Sequence, residues 1–269
     1  MDHIDDDLRD FQAHGALPLP ATAATGHVGH DGVRIRHASF GDGPPVILLH
    51  GGMGHSGNWG YQVPALVDAG YRAIVIDSRG HGRSTRDERP YSYELMAADV
   101  RAVMDHLGIS RTAFVGWSDG ACIALVLGSE TPERAAGVFF FACNMDPSGT
   151  LPFAPTQVID RCFSRHVADY AALSATPGRF QEFADAVGLM QRTQPDYTAA
   201  DLGRITVPVR IVHAEHDEFI RPEHAEYLAG SIPGAELVRL AGASHFAPLQ
   251  RPAQFNAAVL AFLERIAGN

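Results

Sequence analysis

Apolar residues along the chain gather in short continuous runs, which are typical of strands buried on both faces of a sheet. Longer stretches typical of helices lie between these runs. The runs are 46–49, 73–76, 113–117, 138–141, 209–212 and a weaker one at 238–240, and the helical stretches are about 93–107, 119–130, 222–230 and 252–266. Regular alternation of strand and helix predicts an α/β fold, in which helices cover both faces of a parallel sheet.

The alternation fails at two places. Residues 33–36 alternate apolar and charged side chains, and turn residues follow at 41–45, so we expect the first strands to form an antiparallel edge of the sheet. Between about 145 and 203 the chain is helix-like, is rich in alanine and aromatic residues, and carries several prolines. We interpret this region as an inserted helical cap. The alternative is a set of ordinary packing helices.

These patterns predict an N-terminal arm, one α/β core and one cap. The arm is 1–22, the core combines 23–144 with 204–269, and the cap is 145–203. In the arm, Ile4, Leu8 and Phe11 stand at helical spacing, so the arm is either a short helix packed on the body or a frayed tail. A chain of 269 residues suits one domain with an insertion.

Composition narrows the classes of function. Apolar residues make up 46% of the chain and charged residues 19%, which argues against disorder. The net charge of −10 argues against a nucleic-acid or anionic-membrane surface. All 21 cationic residues are arginine, which excludes lysine Schiff bases, P-loops and Ser–Lys dyads. We therefore expect a small-molecule substrate, with no nucleic-acid or membrane partner.

The sequence also predicts a cytoplasmic location. Three cysteines are too few, and odd in number, for a disulfide framework, so a reducing compartment is the simpler assumption. The first residues, MDHIDDDLRDFQ, lack the basic and apolar segments of a secretory signal. No stretch approaches the ~20 apolar residues that a membrane-spanning helix needs.

The strongest chemical signal is the segment Gly116-Trp117-Ser118-Asp119-Gly120, which fits the pattern G-x-S-x-G. It follows a predicted strand directly and opens a predicted helix, a setting in which a sharp turn exposes the serine hydroxyl above the sheet. The helix N-terminus also directs free N–H groups toward developing negative charge. Ser118 is therefore the candidate nucleophile.

A serine hydroxyl needs a base, and the base needs a carboxylate that fixes its tautomer. His245 follows the last predicted strand, and Asp217 follows the strand before it. Glu215 and Glu218 are nearby rivals for the role of the acid. The chain order Ser118, Asp217, His245 predicts a catalytic triad.

The tetrahedral intermediate of acyl transfer needs two backbone N–H donors, which form an oxyanion hole. We expect one from Asp119, directly after the nucleophile, and the other from the glycine-rich loop at 50–54. Glycines let that backbone approach the substrate closely. Gly52 is the predicted donor, with Met53 as its alternative. A plain glycine-rich turn is the alternative to an oxyanion loop.

Over residues 26–266 the chain resembles the α/β-hydrolase superfamily. The resemblance is carried by His50-Gly51-Gly52, the segment Asp77-Ser78-Arg79-Gly80-His81-Gly82-Arg83-Ser84, the turn at Ser118, Asp217 and His245. It implies the α/β-hydrolase fold, in which the segment beginning at Asp77 is a structural loop, so Asp77 and His81 are not catalytic candidates. The turn sequence Gly-Trp-Ser-Asp-Gly is also similar to the biphenyl-hydrolase-like subgroup, which includes valacyclovir hydrolase.

Asp119 is unusual, because its carboxylate places negative charge beside the expected oxyanion and would oppose the transition state. One resolution is that the carboxylate turns away and pairs with an arginine or caps the helix that begins at 119. The other, suggested by the resemblance, is that it binds a cationic group of the substrate, such as the ammonium of an amino-acid ester.

Five residues flank the catalytic loops and are candidates for the substrate pocket, with the core as the alternative place for each. They are Met53, Trp59, Asn144, Met145 and Phe246. No metal is expected, because strand alternation separates His213 from His216 and no third ligand stands out. Cys122 is expected to be a small core residue.

The combined prediction is a serine hydrolase that cleaves a small carboxylic ester through an acyl-enzyme and needs no cofactor. A lactonase, a carbon–carbon bond hydrolase, or a cofactor-free haloperoxidase or perhydrolase would use the same triad. Dehalogenases and epoxide hydrolases resemble the family members with an aspartate nucleophile, so Ser118 argues against them. A ligand receptor on a hydrolase fold is the non-enzymatic alternative, against which a complete triad argues.

Overall fold

A computed structural model describes residues 3–21 and 24–268, and within these ranges eight strands form one sheet. The strands are β1 (Ala24–His30), β2 (Val33–Phe40), β3 (Pro45–Leu49), β4 (Arg72–Ile76), β5 (Thr112–Trp117), β6 (Ala135–Phe141), β7 (Val209–His216) and β8 (Glu236–Ser244). Their order is β1-β2-β4-β3-β5-β6-β7-β8. The β1–β2 and β2–β4 pairs are antiparallel and the other pairs are parallel, which confirms the predicted parallel sheet with an antiparallel edge.

Ten α-helices accompany the sheet in the described ranges. They are α1 (His3–His14), α2 (Gln62–Asp68), α3 (Tyr93–His106), α4 (Asp119–Glu130), α5 (Gln157–Leu173), α6 (Phe180–Thr193), α7 (Ala199–Leu202), α8 (Pro222–Ser231), α9 (Ala247–Gln250) and α10 (Pro252–Ala267). Four of them, α3, α4, α8 and α10, match the predicted helices between the strands. The pattern does not predict α2 and α9, which are too short to show a clear apolar period. None of these ten has the length and apolar character that crossing a bilayer requires.

The central strands carry apolar side chains on both faces of the sheet. Along β3, Ile47 and Leu49 pack with α3 and α4, whereas Val46 and Leu48 pack with α2 and α10 on the opposite face. All four side chains are wholly buried. Because each face has its own core, these strands appear in the sequence as continuous apolar runs. Because both faces are packed, the sheet holds the loops at its carboxyl edge in fixed positions.

The chain between β6 and β7 leaves the sheet and forms α5, α6 and α7; we term residues 147–202 the helical insertion. Helix α5 begins where the Thr156 hydroxyl accepts a hydrogen bond from the N–H of Ile159. The rings of Tyr170 on α5 and Phe183 on α6 stack with centroids 4.7 Å apart. Phe183 also meets the ring of His81 in the core edge-on, at 4.7 Å. Aromatic contacts therefore hold the insertion together and join it to the core.

The N-terminal arm forms α1, which packs on α5. Leu8 and Phe11 are buried, and the Phe11 ring meets the ring of His166 edge-on at 6.3 Å. Between the two alternatives for the arm, the structure therefore favours the packed helix. The side chain of Ile4 lies outside the described residues.

Candidate active site

Ser118 stands at the turn between β5 and α4, and its backbone is strained. Its φ of 54° and ψ of −125° form a combination that residues with a side chain rarely adopt. A Cβ at Gly116 would lie 2.4 Å from the Cα of Ala121. One at Gly120 would lie 2.0 Å from the carbonyl oxygen of Leu49. The two glycines of G-x-S-x-G are therefore required by the close approach of strand and helix.

Two further residues with left-handed backbone lie in the neighbouring loops. Met53 has a φ of 62° in the loop after β3, and Ala142 has a φ of 56° directly after β6. Because β3, β5 and β6 are neighbours in the sheet, these two residues and Ser118 share its carboxyl edge. Such strain costs about 1–3 kcal/mol per residue and clusters at functional sites. In open α/β sheets ligands also bind at this edge.

His245 lies in the loop after β8, and Asp217 lies in the loop after β7. The Nδ1 atom of His245 is 3.0 Å from Oδ1 of Asp217, and the two side chains are only 6% and 0% exposed. Burial by itself would lower the pKa of His245, but the charge and hydrogen bond of Asp217 outweigh burial and raise this pKa above its usual value. With Nδ1 directed at a carboxylate, Nε2 is the atom that remains to accept a proton.

The backbone that follows Asp217 fixes its carboxylate. Oδ1 accepts hydrogen bonds from the N–H groups of Phe219, at 2.9 Å, and Ile220, at 3.0 Å. Burial opposes ionisation of Asp217, yet the charge and hydrogen bond of His245 and the backbone bond lower its pKa overall. The carboxylate is therefore ionised at neutral pH and faces the imidazole.

The two neighbouring glutamates bond to backbone groups. Glu218 accepts the backbone N–H of His245 at 2.9 Å, and burial raises the pKa of Glu218. Glu215 is exposed and accepts the N–H of Gly242 at 2.7 Å. Of the carboxylates of Glu215, Asp217 and Glu218, the one hydrogen-bonded to the His245 ring is that of Asp217.

Two aromatic residues hold the loop that carries His245. The indole N–H of Trp117 donates to the carbonyl oxygen of His245 at 2.8 Å. The ring of Phe219 meets the imidazole edge-on with centroids 4.7 Å apart. Trp117 directly precedes Ser118. The same residue therefore connects the turn of the candidate nucleophile to the loop that carries His245.

Ser118 and His245 line one cavity of about 670 Å³, a volume that suits a small molecule. The loops after β3, β5, β6, β7 and β8 form one side, and α5 and α6 of the insertion form the other. The lining is mainly apolar, with the aromatic side chains of Tyr93, Trp117, Phe153, Phe163, Phe219 and Phe246.

Of the five predicted pocket residues, the structure brings three to this cavity: Met53, Asn144 and Phe246. Trp59 and Met145 are not among the lining residues and are wholly buried. For these two the core alternative applies. Trp59 packs among aromatic rings of the core, because a position beside a loop in the sequence does not fix the direction of the side chain.

The Asp119 carboxylate lies at the cavity with partners that differ from the expected arginine or helix cap. Its residue is 5% exposed, and it accepts hydrogen bonds from the Tyr93 hydroxyl at 2.9 Å and from the Gln191 amide at 3.1 and 3.2 Å. Burial raises the pKa of Asp119, although the bonds from Gln191 and Tyr93 oppose this shift. Asp119 therefore links α4 to α3 and, through Gln191, to the insertion.

Gly52 lies against this carboxylate. A Cβ at Gly52 would be 2.5 Å from Nε2 of Gln191 and 2.6 Å from Oδ2 of Asp119, so a side chain at this position would have to displace them. A Cβ at the neighbouring Gly51 would be 3.1 Å from the Cβ of Ser118. Asp119 is the first residue of α4, where backbone N–H groups have no acceptor within the helix. Asp119 therefore follows Ser118 directly, and the loop that carries Gly52 approaches Ser118 at Gly51.

Hydrogen bonds join the loop after β4 to the loop after β3. The Asp77 carboxylate accepts the N–H of Ser56 at 2.6 Å, and the Nε2 atom of His50 accepts the N–H of Ser78 at 3.0 Å. The His50 and His81 rings lie 5.1 Å apart. These contacts are structural, as the resemblance implied for Asp77 and His81.

Several residues that line the cavity were not predicted from the sequence, among them Tyr93, His166, Gln191 and Phe219. His166 on α5 lines the cavity, is 7% exposed, and has no hydrogen-bond partner for Nδ1 among the described residues. Burial lowers the pKa of His166 to about 4, so this ring is neutral at pH 7. Of these four, Phe219 has a signal in the sequence, because it stands two residues after Asp217.

The described residues contain no group of three or more histidine, cysteine, aspartate or glutamate side chains that could hold a metal ion. His213 is 3% exposed as a residue, whereas the side chain of His216 is 41% exposed. These two histidines therefore sit in different environments, as the alternation along β7 predicts.

Residues 44–189 match the model of a protein family described as the alpha/beta hydrolase fold. Epoxide hydrolase B of Mycobacterium tuberculosis is 33% identical over 238 residues, which cover 82% of this chain and 64% of that protein. A putative non-heme chloroperoxidase of Synechocystis is 27% identical over 86% of this chain and 95% of its own length. This chain spans 54% of the bifunctional epoxide hydrolase 2 of Sus scrofa, which is 23% identical.

Solved structures are similar over most of the chain. A structure described as Est816, an N-acyl homoserine lactone degrading enzyme, is 28% identical with a TM-score of 0.71, over 88% of this chain and all of that one. The meta-cleavage product hydrolase of Pseudomonas fluorescens has a TM-score of 0.75 at 21% identity, over 89% of this chain and 97% of that one. The second likeness concerns the fold alone.

Proposed function

The chain belongs to the α/β-hydrolase family, and from that premise we propose that it is a serine hydrolase that cleaves a small carboxylic ester through an acyl-enzyme. One observation carries the proposal. Ser118, held at a φ of 54° where α4 begins, shares a cavity with His245, whose Nδ1 is 3.0 Å from Asp217. A nucleophile, a base and an orienting acid are the groups that acyl transfer requires.

In the proposed reaction the Ser118 oxygen attacks the ester carbonyl while Nε2 of His245 takes the hydroxyl proton. His245 then donates this proton to the departing alcohol, and the acyl group stays on Ser118. Water, deprotonated by the same imidazole, releases the acid and restores the serine. Asp217 stabilises the imidazolium at each stage, which fits the raised pKa of His245.

The backbone N–H groups of Asp119 and Gly52 are proposed to hold the oxyanion of the tetrahedral intermediate. Asp119 directly follows Ser118, and Gly52 lies in the loop that approaches Ser118 at Gly51. The positive end of α4 lies at the same turn. The Asp119 carboxylate lies against Gly52, and the hydrogen bonds from Tyr93 and Gln191 partly offset its negative charge. These bonds reduce the electrostatic objection to an aspartate after the nucleophile.

We propose that the helical insertion serves as the cap of the cavity and selects the substrate. Helices α5 and α6 line the side opposite the Ser118 turn, and six aromatic side chains contribute to the mainly apolar lining. A mainly apolar cavity of about 670 Å³ favours an ester with a small or medium apolar acyl or alcohol group.

Lactone hydrolysis is the second candidate. It would use the same groups, because a lactone is a cyclic ester, and the likeness to a lactone-degrading enzyme at 28% identity favours it over the remaining alternatives. The matched epoxide hydrolases suggest a different reaction by name. Ser118 at the turn argues against that reaction for this chain, because the family resemblance implies an aspartate at this position in epoxide hydrolases.

The test is steady-state hydrolysis of p-nitrophenyl esters graded from short to long acyl chains, with a lactone series assayed in parallel. We expect turnover of short or medium esters by the natural chain and none above background by Ser118→Ala. A clear preference for lactones would replace the ester proposal with the second candidate. Ester turnover that persists in Ser118→Ala would overturn the serine mechanism.

A further inference from the structure

A pair of thiols lies directly behind the Ser118 turn, and the proposed hydrolysis does not use it. The sulfur atoms of Cys122 on α4 and Cys143 after β6 are 3.0 Å apart. Cys122 is wholly buried, whereas Cys143 is 6% exposed and lines the cavity. The Cys122 thiol also donates to the carbonyl oxygen of Asn144 at 3.1 Å, which holds its sulfur beside the β6 loop.

We propose that Cys122 and Cys143 form a reversible disulfide when a small peroxide enters the cavity, and that this bond is a modification site that slows the enzyme. The two sulfur atoms need to approach by only about 1 Å to reach the ~2.05 Å of a disulfide. The cavity gives an oxidant a path to Cys143, and the wholly buried Cys122 is the partner that can then close the bond.

The chemistry balances with hydrogen peroxide as the oxidant. The Cys143 sulfur attacks one peroxide oxygen, the O–O bond breaks, and a sulfenic acid and one water form. The Cys122 sulfur then attacks the Cys143 sulfur, the S–O bond breaks, and the leaving hydroxide takes the Cys122 proton as a second water. Two thiols are oxidised and one peroxide is reduced, and no other reactant is needed.

Burial sets the speed of this reaction. It raises the pKa of the Cys122 thiol well above its usual value, so the second step is slow at neutral pH. Raising the pH increases the thiolate fraction, and the bond should form faster. Added peroxide in excess of the protein over minutes to hours is therefore the appropriate condition.

Both cysteines are close to the backbone of Ser118. The N–H of Cys122 donates to the Ser118 carbonyl at 3.3 Å, and the Ser118 N–H donates to the carbonyl of Phe141, two residues before Cys143. Drawing the sulfurs together pulls the first turn of α4 toward the end of β6. Misplacement of about 1 Å near reacting groups can cost on the order of a hundredfold in rate, so we expect a loss of ten- to a hundredfold here.

The chain offers a matched control in Cys162 of α5. Cys162 is 1% exposed and lines the same cavity, but no other thiol contacts it. Trypsin cuts after arginine, and Arg111, Arg134 and Arg161 place the three cysteines on three separate peptides. A bond between any two of them is therefore identified directly by peptide mass.

The experiment treats the full natural chain with hydrogen peroxide at pH 7 and pH 9, blocks the remaining thiols with N-ethylmaleimide, and maps tryptic peptides. We expect a product with two hydrogen atoms fewer, in which the Cys122 and Cys143 peptides are joined, formed faster at pH 9 and reversed by dithiothreitol. Cys162→Ser should keep this link. Cys122→Ser should lose it and leave Cys143 as a sulfenic or sulfinic acid.

Oxidation of Cys143 without a link, a link to Cys162, or no change at either thiol at pH 9 would each overturn the proposal. The mass measurement needs no substrate, so it stands whatever the protein hydrolyses. The predicted slowing rests on the proposed function and is measured as each variant's rate relative to its own untreated rate. Linked protein with undiminished ester turnover would overturn the regulatory part alone.

Discussion

The two sides of the cavity are built in different ways. On the core side, Ser118, Asp217 and His245 stand on loops that follow strands of the sheet, and strained backbone or hydrogen bonds with the backbone hold them. On the insertion side, α5 and α6 present side chains such as Phe163, which is 43% exposed. Groups held by the backbone are difficult to move, whereas exposed side chains can be exchanged. We therefore expect chemistry to depend on the core side and selectivity on the insertion side.

The largest effect should follow from removing the nucleophile. Ser118→Ala keeps the Cβ atom and the fold but deletes the attacking oxygen, so kcat for p-nitrophenyl acetate should fall by on the order of 10⁴–10⁶. Ser164→Ala, the same substitution at an exposed position of α5, should leave kcat unchanged. Residual activity of Ser118→Ala within tenfold of the natural chain would contradict the assignment.

Asp217→Asn should have the next largest effect. It keeps the shape of the side chain but removes the charge and favours the wrong tautomer of His245, so kcat should fall by on the order of 10³–10⁴. Glu218→Gln changes the neighbouring carboxylate, which bonds to the backbone of His245 and not to its ring, and should cost much less. A greater loss in Glu218→Gln than in Asp217→Asn would transfer the role of the acid to Glu218.

The contact between Asp217 and His245 should also have a smaller effect, on the pH dependence of kcat/KM. The base works only when neutral, and Asp217 raises the pKa of His245 above the usual 6.5. The value of kcat/KM should therefore fall about tenfold per pH unit once the pH drops below this raised pKa. In Asp217→Asn the charge is gone and burial lowers the pKa, so the acid limb should move to lower pH. A flat profile from pH 5 to 8 would exclude a histidine base.

The smallest effect is expected on the insertion side. Phe163→Ala removes part of the apolar lining, so KM for the longer acyl esters should rise by about three- to tenfold while kcat stays the same. Leu189→Ala, at a 54% exposed position of α6 outside the lining, is the matched control and should change neither constant. A fall in kcat with Phe163→Ala would place the insertion among the groups that perform the chemistry.

The same division explains what the sequence could predict. Local patterns define the core side: apolar runs define the strands, and the G-x-S-x-G turn and the positions of Asp217 and His245 follow strand ends. The structure brings Ser118 and His245 to one cavity and Asp217 directly beside it. Their catalytic roles remain proposals.

The insertion side depends on long-range packing, which leaves no local pattern. Gln191 reaches Asp119 because α6 packs over the loop after β3, and nothing near residue 191 in the sequence indicates this contact. The place of His166 at the cavity could not be predicted from the sequence for the same reason. Trp59 and Met145 show the converse, because their places beside predicted loops suggest a pocket but their side chains point into the core.

Labelling with a fluorophosphonate tests the central claim most directly, because this reagent phosphonylates an activated serine much faster than an ordinary hydroxyl. Fragment masses of the labelled tryptic peptide 112–134 identify the modified residue. We predict one label per chain, on Ser118, with the rate of labelling falling sharply in His245→Ala. Ester hydrolysis by a chain that carries no label on Ser118 would contradict the account.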